Sequence, residues 1–171
     1  MRKIAVVMAA IGLAVGVYYG IHNRTAKPAR DTGSLASQAP ALALVDLGGN
    51  QIDTSSYAGN VVLINFWAAW CTPCAGESPQ LVALQDKYRA QGFRVIGISM
   101  EDRDGALRDF YRKYEMNYPV VAGNEKIAEA YGGILGLPTS LLIGRNGRIR
   151  AKYSGLVDFA KLEQEIIALL Q

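Results

Sequence analysis

The chain holds two cysteines, Cys71 and Cys74, separated only by Thr72 and Pro73. Such a pair can be a structural disulfide, half a metal site or a working redox couple. A structural zinc site needs four ligands, and the single histidine, His22, lies far upstream. Copper delivery through Cys and His meets the same shortage. A purely structural disulfide would close a very small loop, so its restriction of the unfolded chain contributes little. The placement of the pair favours the redox couple. The cysteines follow an apolar run, Val61 to Phe66, that reads as a buried strand, and they stand directly before a helix. Unpaired backbone N–H groups and the helix macrodipole favour negative charge at that point. A thiol there has a depressed pKa, and the thiolate is the nucleophile. Cys71 is therefore expected to be the accessible, attacking thiol. Cys74, one turn later, is the shielded one that resolves a mixed disulfide. Pro73 fits the first helical turn, where its missing N–H would have had no partner.

The elements that must position this pair can be read from periodicity and turn signals. Leu42, Leu44 and Leu47 with Gly48-Gly49-Asn50 mark a short strand and turn, and a second strand follows from Gln51 to Thr54. A helix is predicted from Pro79 to Ala90, with Leu81, Leu84 and Tyr88 on one face and Gly92 past its end. Arg94 to Met100 reads as a strand. Asp104 is placed as the N-cap of a helix whose Leu107, Phe110, Tyr111 and Tyr114 share a face. A short strand from Tyr118 to Ala122 and a short helix from Glu125 to Tyr131 come next. Thr139–Ile143 and Arg148–Tyr153 form a hairpin around Asn146-Gly147. Asp158 caps a last helix lined by Phe159, Leu162, Ile166 and Leu169. Alternating strands and helices followed by a hairpin and helix predict an α/β sandwich around a mixed sheet.

The chain is 171 residues long and 50% apolar, enough for one domain with a proper core. The first part stands outside that domain. Ile4 to Ile21 carries no charged side chain, and about 18 apolar residues approach the length needed to span a bilayer. The run ends near Tyr18 and Tyr19 without an Ala-x-Ala site, so an uncleaved anchor is favoured over a cleaved signal peptide. The expected organisation is an anchor or signal over residues 1–21, a tether over 22–40 and a folded domain over 41–171. Basic residues flank the apolar run on both sides, so charge does not set its orientation. Persistence of a disulfide couple favours the extracytoplasmic side. The net charge of +3 comes from the leader and tether: residues 1–39 hold five Lys/Arg and one Asp, and the rest holds thirteen Lys/Arg and fourteen Asp/Glu. A domain so near neutrality has no nucleic-acid footprint. Arg148, Arg150 and Lys152 alternate along a strand and read as its solvated face.

The stretch Val-Val-Leu-Ile-Asn-Phe-Trp-Ala-Ala-Trp-Cys-Thr-Pro-Cys (61–74) resembles the thioredoxin superfamily. More narrowly, it is similar to the TlpA/ResA/CcmG-like branch of membrane-tethered, extracytoplasmic thiol-disulfide oxidoreductases. Ala39-Pro40, Asp46-Leu47-Gly48-Gly49, Glu77-Ser78-Pro79 and Gly136-Leu137-Pro138-Thr139 extend the match from about residue 39 to the end. The resemblance implies a thioredoxin-like fold with an N-terminal strand extension and an inserted helix–strand unit between Ser99 and Pro138. It implies no cofactor and no metal. Cys71 would attack and Cys74 resolve, with Trp70 flanking them. Leu137-Pro138, with Thr139 beyond, would be the cis-proline loop that holds a client peptide. Glu77 would tune the thiols, although a first-turn carboxylate can equally be solvated. Asn65 stands where plain thioredoxin has a buried Asp, so that acid–base role is absent here or moved to Glu77.

The implied function is reduction of protein disulfides, with apocytochrome c thiols among the candidate clients. The implied partners are thiol- or disulfide-bearing proteins, an upstream membrane electron donor and the bilayer, with the protein itself a monomer. Two rival classes remain. A thiol peroxidase of the peroxiredoxin type needs a Thr three residues before its reactive cysteine, where this chain has Ala68. A tethered, non-enzymatic module would bind thiol proteins or metal without turnover.

Overall fold

A computed structural model describes residues 29–30, 37–100 and 104–171. The expected membrane span and most of the tether lie outside the described residues. No helix among the described residues is long and apolar enough to cross a membrane.

A six-stranded mixed sheet forms the centre. Its strands are β1 (Ala29–Arg30), β4 (Val61–Trp67), β5 (Phe93–Ser99), β6 (Val120–Ala122), β7 (Thr139–Ile143) and β8 (Ile149–Ser154). They lie in the order β1-β8-β7-β4-β5-β6. The β4–β5 and β5–β6 pairs are parallel, and β4–β7, β7–β8 and β1–β8 are antiparallel. A separate hairpin pairs β2 (Ala43–Val45) with β3 (Gln51–Asp53). The helices are α1 (Thr72–Tyr88), α2 (Asp104–Lys113), α3 (Glu125–Ala130) and α4 (Phe159–Leu170). The N-terminal hairpin and the α2–β6 unit between β5 and β7 are the extensions implied above.

Every residue of β4 is buried, because both faces of the sheet are covered; this is why the strand reads as one apolar run. On one face Val61, Leu63 and Trp67 pack with Val95, Leu107, Phe110, Leu162 and Ile166, and this core includes both cysteines. On the other face Val62, Ile64 and Phe66 pack with Ile96, Ile98, Ala128, Tyr131 and Leu141. Two glycines make close approaches possible. A Cβ on Gly123 would meet Ile98 Cγ2, Met100 Sδ and the Ser99 carbonyl at 2.7–2.8 Å. Gly147 has φ +73° in the β7–β8 turn, and a Cβ there would collide with the Gln38 amide. Backbone pairing also reaches back before residue 41. Ala39 N–H donates to Gly147 O, and Ile149 N–H donates to Ser37 O.

Most element boundaries fall within two residues of expectation, but α1 differs. It begins at Thr72 rather than Pro79 and runs through Pro79 to Tyr88. Pro79 removes the N–H that would reach Ala75 O. Burial overrides that loss, since Cys74, Glu77, Ser78, Leu81, Leu84, Gln85 and Tyr88 form one buried stripe. Polar residues at two positions of the stripe hid its first half from a hydrophobic reading. β6 also begins two residues late, at Val120, because Pro119 precedes it and only its carbonyl, bonded by Gly97 N–H, joins the sheet.

Candidate active site

Cys71 is the N-cap of α1. Its backbone is extended (φ −82°, ψ 100°), and its Sγ accepts the Cys74 N–H at 3.3 Å. A sulfur thus occupies the position usually held by a Ser or Asp oxygen. Pro73 lies in the first turn, as expected. Cys71 and Cys74 are joined as a disulfide with Cα atoms 5.3 Å apart. In this oxidised form both residues are almost entirely covered, Cys71 at 4% exposure and Cys74 at 2%. The expected contrast in accessibility between them is therefore small. Both sulfurs belong to the core under β4, and Leu137 packs against the same core. Trp70, by contrast, stands 66% exposed immediately before Cys71.

The Leu137–Pro138 peptide bond is cis. Antiparallel pairing of Phe66 with Thr139 brings this loop to the end of β4 that carries the cysteines. The Pro138 carbonyl is taken by the Gly155 N–H at 2.9 Å. Thr139 is buried, and its hydroxyl donates to Gly136 O at 2.7 Å, so that side chain is spent on the local turn. Among the described residues no backbone hydrogen bond involves Leu137.

Glu77 is not solvated. It lies one turn beyond Cys74 on the buried stripe of α1, with 2% exposure. Its Oε1 accepts the Val157 N–H at 2.6 Å, and its Oε2 has no partner. Burial pushes its pKa up to about 7, with the Val157 hydrogen bond opposing the rise. Val157 is 80 residues away, and no local signal in the sequence marks it. Asn65 occupies the centre of β4, buried, and its Nδ2 donates to Ser140 Oγ at 3.0 Å; the position holds a satisfied amide and no acid. Trp67 is core, stacked on Phe110 with centroids 4.3 Å apart. Behind the disulfide, Trp67 Nε1 and Tyr118 Oη are buried without partners. Burial also pushes the Tyr118 phenol upward, with the charges of Tyr111 and Glu77 adding to the effect.

Among the described residues no group of three or more His, Cys, Asp and Glu side chains comes together to hold a metal. What the site can do is thiol–disulfide exchange. It holds a reversible two-electron couple at a helix N-terminus, with a buried carboxyl of near-neutral pKa one turn away.

Known proteins share this architecture. Residues 35–152 match the AhpC/TSA family. ResA thiol-disulfide oxidoreductases are similar. The Bacillus anthracis protein is 34% identical over 130 residues, covering 75% of each chain. The Bacillus subtilis protein is 31% identical over 121 residues, covering 70% of this chain and 67% of its own. Among solved structures, a DsbE thiol:disulfide interchange protein from Chlorobium tepidum superposes with a TM-score of 0.76 at 33% identity, covering 81% of this chain and 99% of its own. A second thiol:disulfide interchange protein of the thioredoxin family from Chlorobium tepidum TLS gives 0.75 at 26% identity, covering 82% and 100%. With the cysteine pair closed at the head of α1, the chain belongs to the AhpC/TSA family and is a thioredoxin-like thiol-disulfide oxidoreductase, similar to ResA and DsbE.

Proposed function

We propose that the protein reduces disulfides of client proteins outside the cytoplasm, held to the membrane by its N-terminal apolar segment. Cys71 attacks the client disulfide and Cys74 resolves the mixed disulfide. An upstream membrane donor re-reduces the pair. The observation that carries the assignment of roles is the N-cap geometry: Cys71 Sγ receives the Cys74 N–H at the helix N-terminus, where a thiolate would be stabilised. Cys74 has no such position. Trp70 and the Leu137-Pro138 loop flank the sulfurs, and the Leu137 backbone is placed to pair with an extended client segment, with Thr139 anchoring the loop behind it.

The reducing direction rests on Glu77. A carboxylate buried one turn from Cys74 opposes thiolate formation as it ionises. No Lys, Arg or His lies between Ala68 and Gly76 to offset it. A less stabilised thiolate makes the dithiol the better electron donor. Thiols of apocytochrome c, in the maturation of c-type cytochromes, are a client class consistent with the ResA-like and DsbE-like relatives.

The test uses the full chain carrying Cys74→Ser. This variant can attack but cannot resolve, so clients accumulate on Cys71 as covalent adducts that mass spectrometry of the cell envelope identifies. Adducts on Cys71 that dithiothreitol releases are expected. Adducts forming instead on Cys74 in a Cys71→Ser variant would reverse the roles.

A further inference from the structure

The chain pairs with the sheet before the domain proper begins. β1 runs antiparallel to the outer edge of β8, with Ala29 beside Ser154 and Arg30 beside Tyr153. At the other end of β8, Gln38 bridges Arg148, Ile149 N–H donates to Ser37 O and Ala39 N–H donates to Gly147 O. Both sets of contacts give the chain one direction: it arrives beside Ser154 and ends at the β7–β8 turn. Ser154 marks the cysteine-bearing end of the sheet, because the register sets it beside Thr139 and sets Thr139 beside Phe66. Ile149 marks the opposite end, beside Ile143, which pairs with Val62. Whatever precedes β1 is therefore joined to the domain at the end that carries Cys71.

Length turns this pairing into an orientation. The apolar run ends at Ile21, and β1 begins at Ala29. The seven residues between them reach at most about 25 Å. If the first contact were at Ser37 instead, the connection would reach about 50 Å. The sheet itself is about 20 Å long from Val61 to Trp67, so passing along it to the far end would use most of the shorter reach. Arg24, Lys27 and Arg30 lie in a stretch, residues 22–30, without an acidic residue, and anionic headgroups attract such a stretch. The pairing has a structural cause as well, since β8 would otherwise present an open strand edge. We propose that β1 is a strap that turns the cysteine-bearing end of the sheet toward the bilayer. The partner this orientation fits is a membrane-embedded protein that presents its own cysteine close to the membrane face. The proposal rests on the reading of residues 4–21 as an anchor and adds which end of the domain that anchor draws to the membrane.

The test places the full chain in lipid nanodiscs that contain anionic lipid and a headgroup-labelled energy acceptor. A fluorescent donor is carried on a non-natural side chain at one of two exposed positions. Leu156 follows β8 at the cysteine-bearing end, and Gln91 precedes Gly92, whose carbonyl accepts the Val61 N–H at the other end. A thermal melt verifies the fold of each labelled protein. Energy transfer to the lipid should be about twofold or more higher from position 156 than from position 91, given the ~20 Å that separates the two ends of the sheet. Two long flexible Gly/Ser inserts then distinguish a docked strap from a loose tether. An insert after Thr25, upstream of β1, should lower transfer from position 156 severalfold. An insert after Gly33, downstream of β1, should leave it unchanged, because the β1–β8 pairing still holds the domain. Equal transfer from the two positions, higher transfer from position 91, or equal loss with the two inserts would each overturn the strap while leaving the anchor intact. A chain that does not enter nanodiscs at all would overturn the anchor, and the orientation with it.

Discussion

The two ends of β4 are built in opposite ways. At the Val61 end, Arg145 ties three segments together. Its Nη1 donates to Gly59 O at 2.7 Å, and its Nη2 donates to Gln91 O at 3.1 Å and to Leu170 O at 2.9 Å. Gly59 N–H returns a bond to Arg145 O, and Val61 N–H bonds Gly92 O. Loop backbones there are joined to one another and to the end of α4. At the Trp67 end the chain leaves groups open. Glu77 Oε2, Trp67 Nε1 and Tyr118 Oη are buried without partners among the described residues, none of which bonds the Leu137 backbone, and Trp70 faces solvent. Satisfied polar groups stabilise and fix a structure, whereas unsatisfied ones are costly and collect where chemistry is done. The fold stores its rigidity at one end of the strand and its reactivity at the other.

The contrast can be broken most sharply at the sulfur. Cys71→Ser should lower the rate of disulfide reduction by on the order of a thousandfold or more, because it removes the nucleophile itself. The same substitution should leave the Arg145 end unchanged, since the lost disulfide closes only a small loop. Stopped-flow reduction of 2,2′-dithiodipyridine and a denaturant titration measure the two effects. A variant retaining a tenth of the wild-type rate would mean that Cys71 is not the attacking group.

Glu77 sharpens the contrast through pH. Its carboxyl in the folded protein has a pKa pushed up to about 7 from the ordinary 4.5. The folded state therefore holds this proton more tightly than the unfolded chain does. The resulting stabilisation is full below the unfolded carboxylate range and is lost as pH rises through about 7. Glu77→Gln removes that dependence. Relative to wild type, the variant should gain on the order of 2 kcal/mol between pH 4 and pH 8. Urea melts across that range check it, and parallel pH profiles for the two proteins would refute the burial of an ionisable group. The same variant removes a negative charge near the pair and should therefore raise its reduction potential. Equilibration with glutathione buffers reads the potential.

At the other end, Arg145→Ala should cost about 1–2 kcal/mol of stability through its lost hydrogen bonds to carbonyls. The reduction rate per folded molecule should not change. A large change in thiol reactivity would show that the two ends are coupled through β4. The smallest effect is expected at Tyr88, whose hydroxyl donates to Glu163 Oε1 at 2.8 Å and links α1 to α4. Tyr88→Phe should lose about 0.5–1 kcal/mol in a denaturant titration, because the bond is partly open to water.

Local chemistry made much of the molecule legible from residues alone. The apolar run of β4, the Asn146-Gly147 hairpin, the Asp158 cap and the cysteine spacing each depend on interactions within a few residues, so their signals survive in one dimension. The helix through Pro79 was less legible, because a proline and two buried polar residues mask a stripe that only packing enforces. The element types and the redox pair could therefore be read without coordinates.

Burial and pairing at long range were decided by the tertiary structure. Glu77 reads equally well as a solvated first-turn acid; the Val157 N–H from 80 residues away and the closed core make it a buried acid with a near-neutral pKa. The residue types and spacing along the chain determine which groups can react. Their desolvation and neighbours determine how they react, and those exist only once distant segments have closed around them.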